Sequence, residues 1–170
     1  MAGLPGAAVT DPGTVRAALP VGRVLGPAVL AYVGDDGFRP AAPGASAVGR
    51  LPGGHPELRG LEGLAGEEEA GEASLSEITS PAFVVRDERG ALVAAAGYRS
   101  WPGRTAHLGV LTAPAHRGRG LARVTGSAAT AHALAAGLLP QWRARPAASR
   151  RVAGALGFRE LGAQLSFEPA

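Results

Sequence analysis

Leu108-Gly109-Val110-Leu111-Thr112-Ala113-Pro114-Ala115-His116-Arg117-Gly118-Arg119-Gly120-Leu121-Ala122 is the stretch whose reading decides the fold. Up to Thr112 it is apolar enough for a strand, and Pro114 stops that strand. Gly118 and Gly120 then lead into an Ala-rich helix expected over Leu121 to Ala136. In that helix Leu121, Val124, Ala128, Ala131 and Ala135 keep helical spacing and are expected to form its buried face. Gly137 stands where a C-terminal cap belongs. A glycine loop between a strand and a helix start can turn successive backbone N–H groups into one concavity. The positive end of the helix adds to it, so a diphosphate fits there. Two other glycine-loop readings fail. A dinucleotide fingerprint needs a small residue where Arg123 stands, and a Walker loop needs a lysine, of which the chain has none.

Working outward, Leu138–Arg145 reads as a strand, Ala147–Leu156 as a helix with Pro146 at its start, and Phe158–Phe167 as a last strand. Upstream, Ala82–Asp87 and Ala91–Trp101 read as a hairpin through Glu88-Arg89-Gly90, followed by a strand over Ala106–Thr112. Leu58, Leu61 and Leu64 predict one face of a helix from about His55 to Ala65, despite Gly60 and Gly63. A short strand is expected over Ala45–Leu51, and Pro40–Gly44 reads as a connector. Before it lie a short helix around Asp11–Leu19 and an apolar strand around Val24–Val33. Strands and helices in this order specify a mixed α/β sheet.

The chain of 170 residues is long enough for one well-buried domain. With no cysteine it has neither a disulfide framework nor a thiolate metal site, and its four histidines lack zinc-ligand spacing, so no metal is expected. Neither a secretory leader nor a run of roughly 18 apolar residues occurs, which predicts a soluble, cytoplasmic protein with no membrane partner. All 17 basic residues are arginine. From Gly90 to Arg159 there is no Asp or Glu, while Arg99, Arg104, Arg117, Arg119, Arg123, Arg143, Arg145, Arg150, Arg151 and Arg159 fall there. Such a region suits an anionic ligand, and a solvated surface would look similar. Aromatic residues are not interleaved with those arginines, which argues against a single-stranded nucleic-acid platform.

Arg117, Gly120 and Ala122 fill the pattern Arg/Gln-x-x-Gly-x-Gly/Ala, and Ser149-Arg150-Arg151-Val152-Ala153-Gly154-Ala155-Leu156-Gly157-Phe158 supplies a closing Leu-Gly-Phe segment. In these two motifs, at the expected separation, the sequence resembles the GCN5-related N-acetyltransferase (GNAT) superfamily. The match covers about Pro81 to Glu168 and extends more loosely back to about Ala45. This divides the chain into an N-terminal extension over residues 1–44, of open role, and a GNAT domain over residues 45–170. The resemblance implies an α/β fold with a mixed, mostly antiparallel sheet flanked by helices. That sheet would splay between the family's fourth and fifth strands, here Ala106–Thr112 and Leu138–Arg145. Acetyl-CoA is the implied acyl donor. Val110, Leu111 and Thr112 would meet its pantetheine arm, Arg117, Gly118, Arg119, Gly120, Leu121 and Ala122 its pyrophosphate, and Ser149 its far end.

The sequence departs from the family where catalysis is concerned. Pro146 replaces an asparagine common at the start of the last helix. Ala153 stands where many relatives carry the tyrosine that protonates the leaving thiolate. Where some carry a glutamate base, this chain has Ala106 and His107. Three candidates for the base remain: His107, which has a suitable intrinsic pKa; a glutamate such as Glu69 or Glu72; or a water chain. His107 could equally be structural, and the acidic residues from Glu67 to Glu77 a solvated connector. Trp101 and Trp142 are candidate walls of an acceptor pocket or core residues. The expected function is transfer of an acetyl group to an amine, either a small molecule or a peptide N-terminus, by direct attack. A non-catalytic acyl-CoA-binding regulator is the alternative, and a homodimer is compatible with the sequence.

Overall fold

The computed structural model describes residues 10–42, 44 and 46–169. One seven-stranded sheet runs through it. The elements in chain order are α1 (Pro12–Ala18), β1 (Val21–Tyr32), β2 (Gly49–Leu51), α2 (Pro56–Ala65), α3 (Glu67–Ala73), β3 (Ala82–Arg86), β4 (Leu92–Trp101), β5 (Thr105–Thr112), α4 (Leu121–Ala135), β6 (Leu139–Ala144), α5 (Ala147–Ala155) and β7 (Arg159–Pro169). Single 3-10 turns cover Leu75–Glu77 and Pro114–His116. The sheet order is β2-β3-β4-β5-β6-β1-β7, antiparallel throughout except where β5 runs parallel to β6. The mixed, mostly antiparallel sheet expected from the sequence is therefore present.

The parallel pair is the feature that shapes the molecule. β5 and β6 are in register only from Thr105↔Leu139 to Leu108↔Trp142. Beyond Leu108, β5 stays paired with β4 as far as Thr112 while β6 leaves it, so the sheet opens in a V. Pairing with β1 on the far side carries β6 away, in register from Val29↔Ala144 to Tyr32↔Gln141. The strand foreseen within residues 1–44 thus lies in the sheet, between β6 and β7, with β7 paired along most of its length.

Each face of the sheet has its own core. Ala96, Leu108, Trp142 and Ala144 pack with Ala129 and Ala133 of α4 and with Ala153 and Leu156 at α5. On the opposite face Ala95, Leu111 and Val84 pack with Leu58 and Leu61 of α2, Ala73 of α3, and Leu75.

Several elements differ from expectation for identifiable reasons. In α2, Leu58 and Leu61 are buried but Leu64 is 65% exposed. A three-residue repeat drifts around a helix of 3.6 residues per turn, and Ala65 takes the inward position instead. On α4, Ala131 and Ala135 are exposed, whereas Thr125, Gly126, Ala129, Thr130 and Ala133 are buried. The threonines tolerate burial because each hydroxyl donates to the carbonyl one turn back, Thr125 to Leu121 (3.0 Å) and Thr130 to Gly126 (2.7 Å). The acidic segment, for which no helix was expected, contains one, α3. Of the strand expected over Ala45–Leu51 only Gly49–Leu51 forms, and Ala45 lies outside the described residues.

Candidate functional site

A cleft of about 600 Å³ fills the V between β5 and β6. Its first contribution is backbone. The Ala113 N–H donates to the Val93 carbonyl on β4 (2.8 Å). Strand alternation then turns the backbone groups of Leu111 and Gly109 toward β4, and those of Val110 and Thr112 toward the opening that β6 has left. The Thr112 hydroxyl is also buried, with no hydrogen-bond partner among the described residues. A ligand lying in the V meets a strand edge ready to pair.

The second contribution is the start of α4. Gly118 and Gly120 both have φ of +75°, the left-handed conformation that side chains resist. The first bond that closes the helix runs from the Val124 N–H to the Gly120 carbonyl (3.1 Å), so the preceding N–H groups have no partner within the helix. At α1 Asp11 caps the Thr14 N–H, and at α2 His55 accepts from the Glu57 N–H, but among the described residues no side chain caps α3, α5 or the glycine start of α4. The uncapped donors of α4 border the cleft together with Arg117, Gly118, Gly120, Leu121 and Ala122. A diphosphate would satisfy them.

Most of the sequence-predicted contacts are brought together here. Val110, Leu111, Thr112 and Ser149 line the same cleft, with Trp142 between them. The Trp142 indole N–H donates to the Ser149 hydroxyl (3.0 Å), which orients both. Arg119 is the exception. It faces a separate open groove beside the β3–β4 turn, together with His116.

Glu69 and Glu72, one turn apart on α3, reach across the cleft to its two lips. Glu69 pairs with Arg117 on the glycine loop, and Glu72 pairs with Arg145 beyond β6 (3.0 Å). Both carboxylates line the cleft. The acidic segment, left open in the sequence between a solvated connector and a lining of the acceptor site, is thus a helix that lines this cleft.

His107 occupies different ground. Odd-numbered residues of β5 face α2 and α3, so His107 points to that side and not into the main cleft. It lines a smaller hollow of about 130 Å³, which shares Glu72, Ala73 and Arg143 with the cleft. Trp101 stacks on its ring, with centroids 4.6 Å apart and planes at 14°. The Gln141 amide links it to the sheet. Gln141 Nε2 donates to the Tyr32 hydroxyl (2.6 Å), which turns Oε1 toward His107 Nδ1 (2.7 Å). An amide oxygen only accepts, so Nδ1 carries the proton and Nε2 holds the free lone pair. Burial pushes the His107 pKa below the usual imidazole value. The bond to Gln141 acts against that shift, and nearby Arg143 and Arg99 add to it. The ring is neutral at neutral pH, as a base must be.

Sequence reading did not find Tyr32 or Gln141, and it named Arg143 only among the arginines of the acid-free region. Gln141 faces His107 because the parallel register places them opposite each other, and Tyr32 reaches Gln141 from β1. Neither adjacency has a local sequence signal. Among the described residues no group of His, Asp or Glu side chains could hold a metal ion, and no helix is long and apolar enough to cross a membrane.

A family model for GNAT acetyltransferases matches residues 82–163. Among solved structures, a protein assigned to the GNAT family from Novosphingobium aromaticivorans is 28% identical, with a TM-score of 0.69 over 88% of this chain and 67% of its own. A GCN5-related N-acetyltransferase from Kribbella flavida gives 20% identity and a TM-score of 0.63, over 87% of this chain and 60% of its own. A GNAT-family acetyltransferase from Colwellia psychrerythraea gives 17% and 0.60, over 89% and 59%. The last two share the fold, and this chain spans about three fifths of their length. No curated protein matches the sequence.

Proposed function

We propose that this protein, whose residues 82–163 match the family model for GNAT acetyltransferases, moves the acetyl group of acetyl-CoA to an amine by direct attack. The observation that carries the proposal is the uncapped, left-handed glycine start of α4, set beside a strand edge with no neighbour. In this reading the N–H groups from Gly118 to Ala122 hold the pyrophosphate, with Arg117 adding charge. Val110 and Thr112 pair with the pantetheine arm, and one of their N–H groups faces the thioester oxygen as charge develops on it. Ser149 meets the nucleotide end.

His107 is the base. Its Nε2 takes a proton from the acceptor ammonium, and the amine nitrogen then attacks the thioester carbon. The C–N bond forms and the C–S bond breaks; the nitrogen gives up its second proton to solvent as it becomes the amide, and coenzyme A leaves as a thiolate that solvent protonates. Gln141 and Tyr32 hold the tautomer that leaves Nε2 free. Glu72, at the junction of hollow and cleft, is held by Arg145 and walls the acceptor's approach. Catalysis then rests mainly on positioning, with the base adding its part.

The test is thiol release from acetyl-CoA with a panel of primary amines, with the N-acetyl product identified by mass. Tight acetyl-CoA binding without product from any amine would replace this reading with that of a non-catalytic acyl-CoA binder. His107→Gln is expected to lower kcat by about 10²- to 10⁴-fold, the usual share of a general base, with acetyl-CoA affinity unchanged. In the wild type kcat/KM should rise with pH through an apparent pKa below the ordinary histidine value of about 6.5. Gln141→Leu removes the bond that supports the protonated ring, so this limb should move to still lower pH while kcat falls. An unmoved limb would separate His107 from the chemistry.

Arg117 must release Glu69, at least in part, to serve the pyrophosphate. Glu69→Gln frees it and should tighten acetyl-CoA binding by up to about 5-fold, the modest value of an exposed ion pair. Weaker binding on calorimetry would mean that Glu69 orients Arg117 and does not compete for it.

A further inference from the structure

The hollow around His107 is lined by a guanidinium, Arg143, that forms no ion pair among the described residues. Arg99 is paired with Glu77 (2.5 Å) and Arg145 with Glu72 (3.0 Å), so both carboxylates at the hollow already have partners. Arg143 also lines the hollow, is partly buried, and has neither an ion pair nor a side-chain hydrogen bond among the described residues. A planar guanidinium withdrawn from water without an acid is costly to keep, and its fork of donors suits a carboxylate.

Its position narrows what could pair with it. Trp142 packs into the α4-side core, so alternation along β6 turns Arg143 to the other face, with His107 and Gln141. Arg143 lines both the main cleft, where the α4 start proposed for the pyrophosphate lies, and the hollow with His107, which does not include the glycine loop. Trp101, 39% exposed and stacked on His107, offers an apolar surface at the same place.

On the footing that the protein is an amine acetyltransferase with its acceptor beside His107, we infer that the acceptor is a small amino acid-type molecule whose carboxylate is held by Arg143. The amino group must reach His107 Nε2 and the thioester while the carboxylate reaches the guanidinium. The two groups must therefore be a few bonds apart, as in an amino acid. The hollow of about 130 Å³ suits a compact molecule of this kind, and Trp101 favours an apolar side chain on it.

The test compares matched pairs, such as phenylalanine with phenethylamine and leucine with isopentylamine, in the wild-type protein, Arg143→Met and Arg143→Lys. Calorimetry of acetyl-CoA accompanies each variant. The wild type is expected to favour the carboxylated partner in kcat/KM by about 10- to 100-fold, the range of a charge-assisted hydrogen-bonded pair. Arg143→Met should erase that preference with acetyl-CoA affinity unchanged, and Arg143→Lys should restore part of it. Turnover of the plain amines equal to that of the amino acids would overturn the inference and leave amine acetylation standing. So would a loss of acetyl-CoA affinity in Arg143→Met, which would place the guanidinium on the donor. Acetyl-CoA binding with no amine consumed would remove both readings together.

Discussion

Gly120→Glu is expected to weaken acetyl-CoA binding by more than 100-fold while leaving the protein folded. Two effects act in the same direction. The new carboxylate would stand at the uncapped start of α4, where negative charge is favoured, and compete for the donors proposed to hold the pyrophosphate. It would also repel the incoming diphosphate. Nothing lies within 4 Å of a Cβ built at this position, so the side chain itself meets no obstacle. The backbone remains left-handed at φ +75°, which costs a non-glycine residue about 1 kcal/mol. Part of that cost is offset by the favourable end of the helix, and the melting temperature should shift by only a few degrees. Gly120→Ala carries the same backbone strain without the charge and should retain most of the affinity. If calorimetry found Gly120→Glu binding like the wild type, the pyrophosphate would have to lie elsewhere, and the acyltransferase reading would lose its main support.

What the sequence made legible follows from where its signals are local. Pro114, Gly137 and Pro146 each mark an element end that the structure keeps, because a missing N–H or a left-handed residue acts on its immediate neighbours. The glycine loop was legible for the same reason. Burial on α4 was not, since an Ala-, Thr- and Gly-rich helix has little hydropathy contrast. There the choice of face is made by the close approach of Gly126 to Trp142. The helical character of Glu67–Ala73 was masked by its charge. Only Ala73 of that helix is buried, and its acids point to arginines about 48 and 73 residues away.

Strand order is the hardest feature to read because it depends on contacts across the whole chain. β1 enters between β6 and β7, and this insertion brings Tyr32 to Gln141 and Gln141 to His107. The segment of open role in the sequence reading therefore supports the ring proposed as the base. The same insertion draws β6 away from β5 and so contributes to the opening that the donor would occupy. The cleft proposed for the donor and the hollow proposed for the acceptor both depend on this one strand placement.

That geometry also requires α3 to approach the sheet closely, and Gly109→Ala is expected to show how closely. A Cβ at Gly109 would lie 1.9 Å from the backbone carbonyl oxygen of Ala73, a separation no packing tolerates. Gly97, its register partner on β4, offers the control. A Cβ there would meet the Ile78 Cδ1 at 2.6 Å, the end of a side chain that can rotate away. Relief at position 109 demands that α3 itself move, because the obstacle is backbone. Overpacking of this kind costs about 1–3 kcal/mol or more, so Gly109→Ala should lower the melting temperature by roughly 5–10 °C, and Gly97→Ala by less. The functional loss should be larger than the stability loss. Displacing α3 moves Glu69 from Arg117 and Glu72 from Arg145, opens one wall of the cleft, and disturbs the hollow around His107. A fall of at least about 10-fold in kcat/KM is expected for Gly109→Ala at temperatures where it is fully folded, against near-normal turnover for Gly97→Ala. Equal stability and activity in the two variants would show that α3 rides farther from β5, and the acceptor side of the site would have to be rebuilt without it.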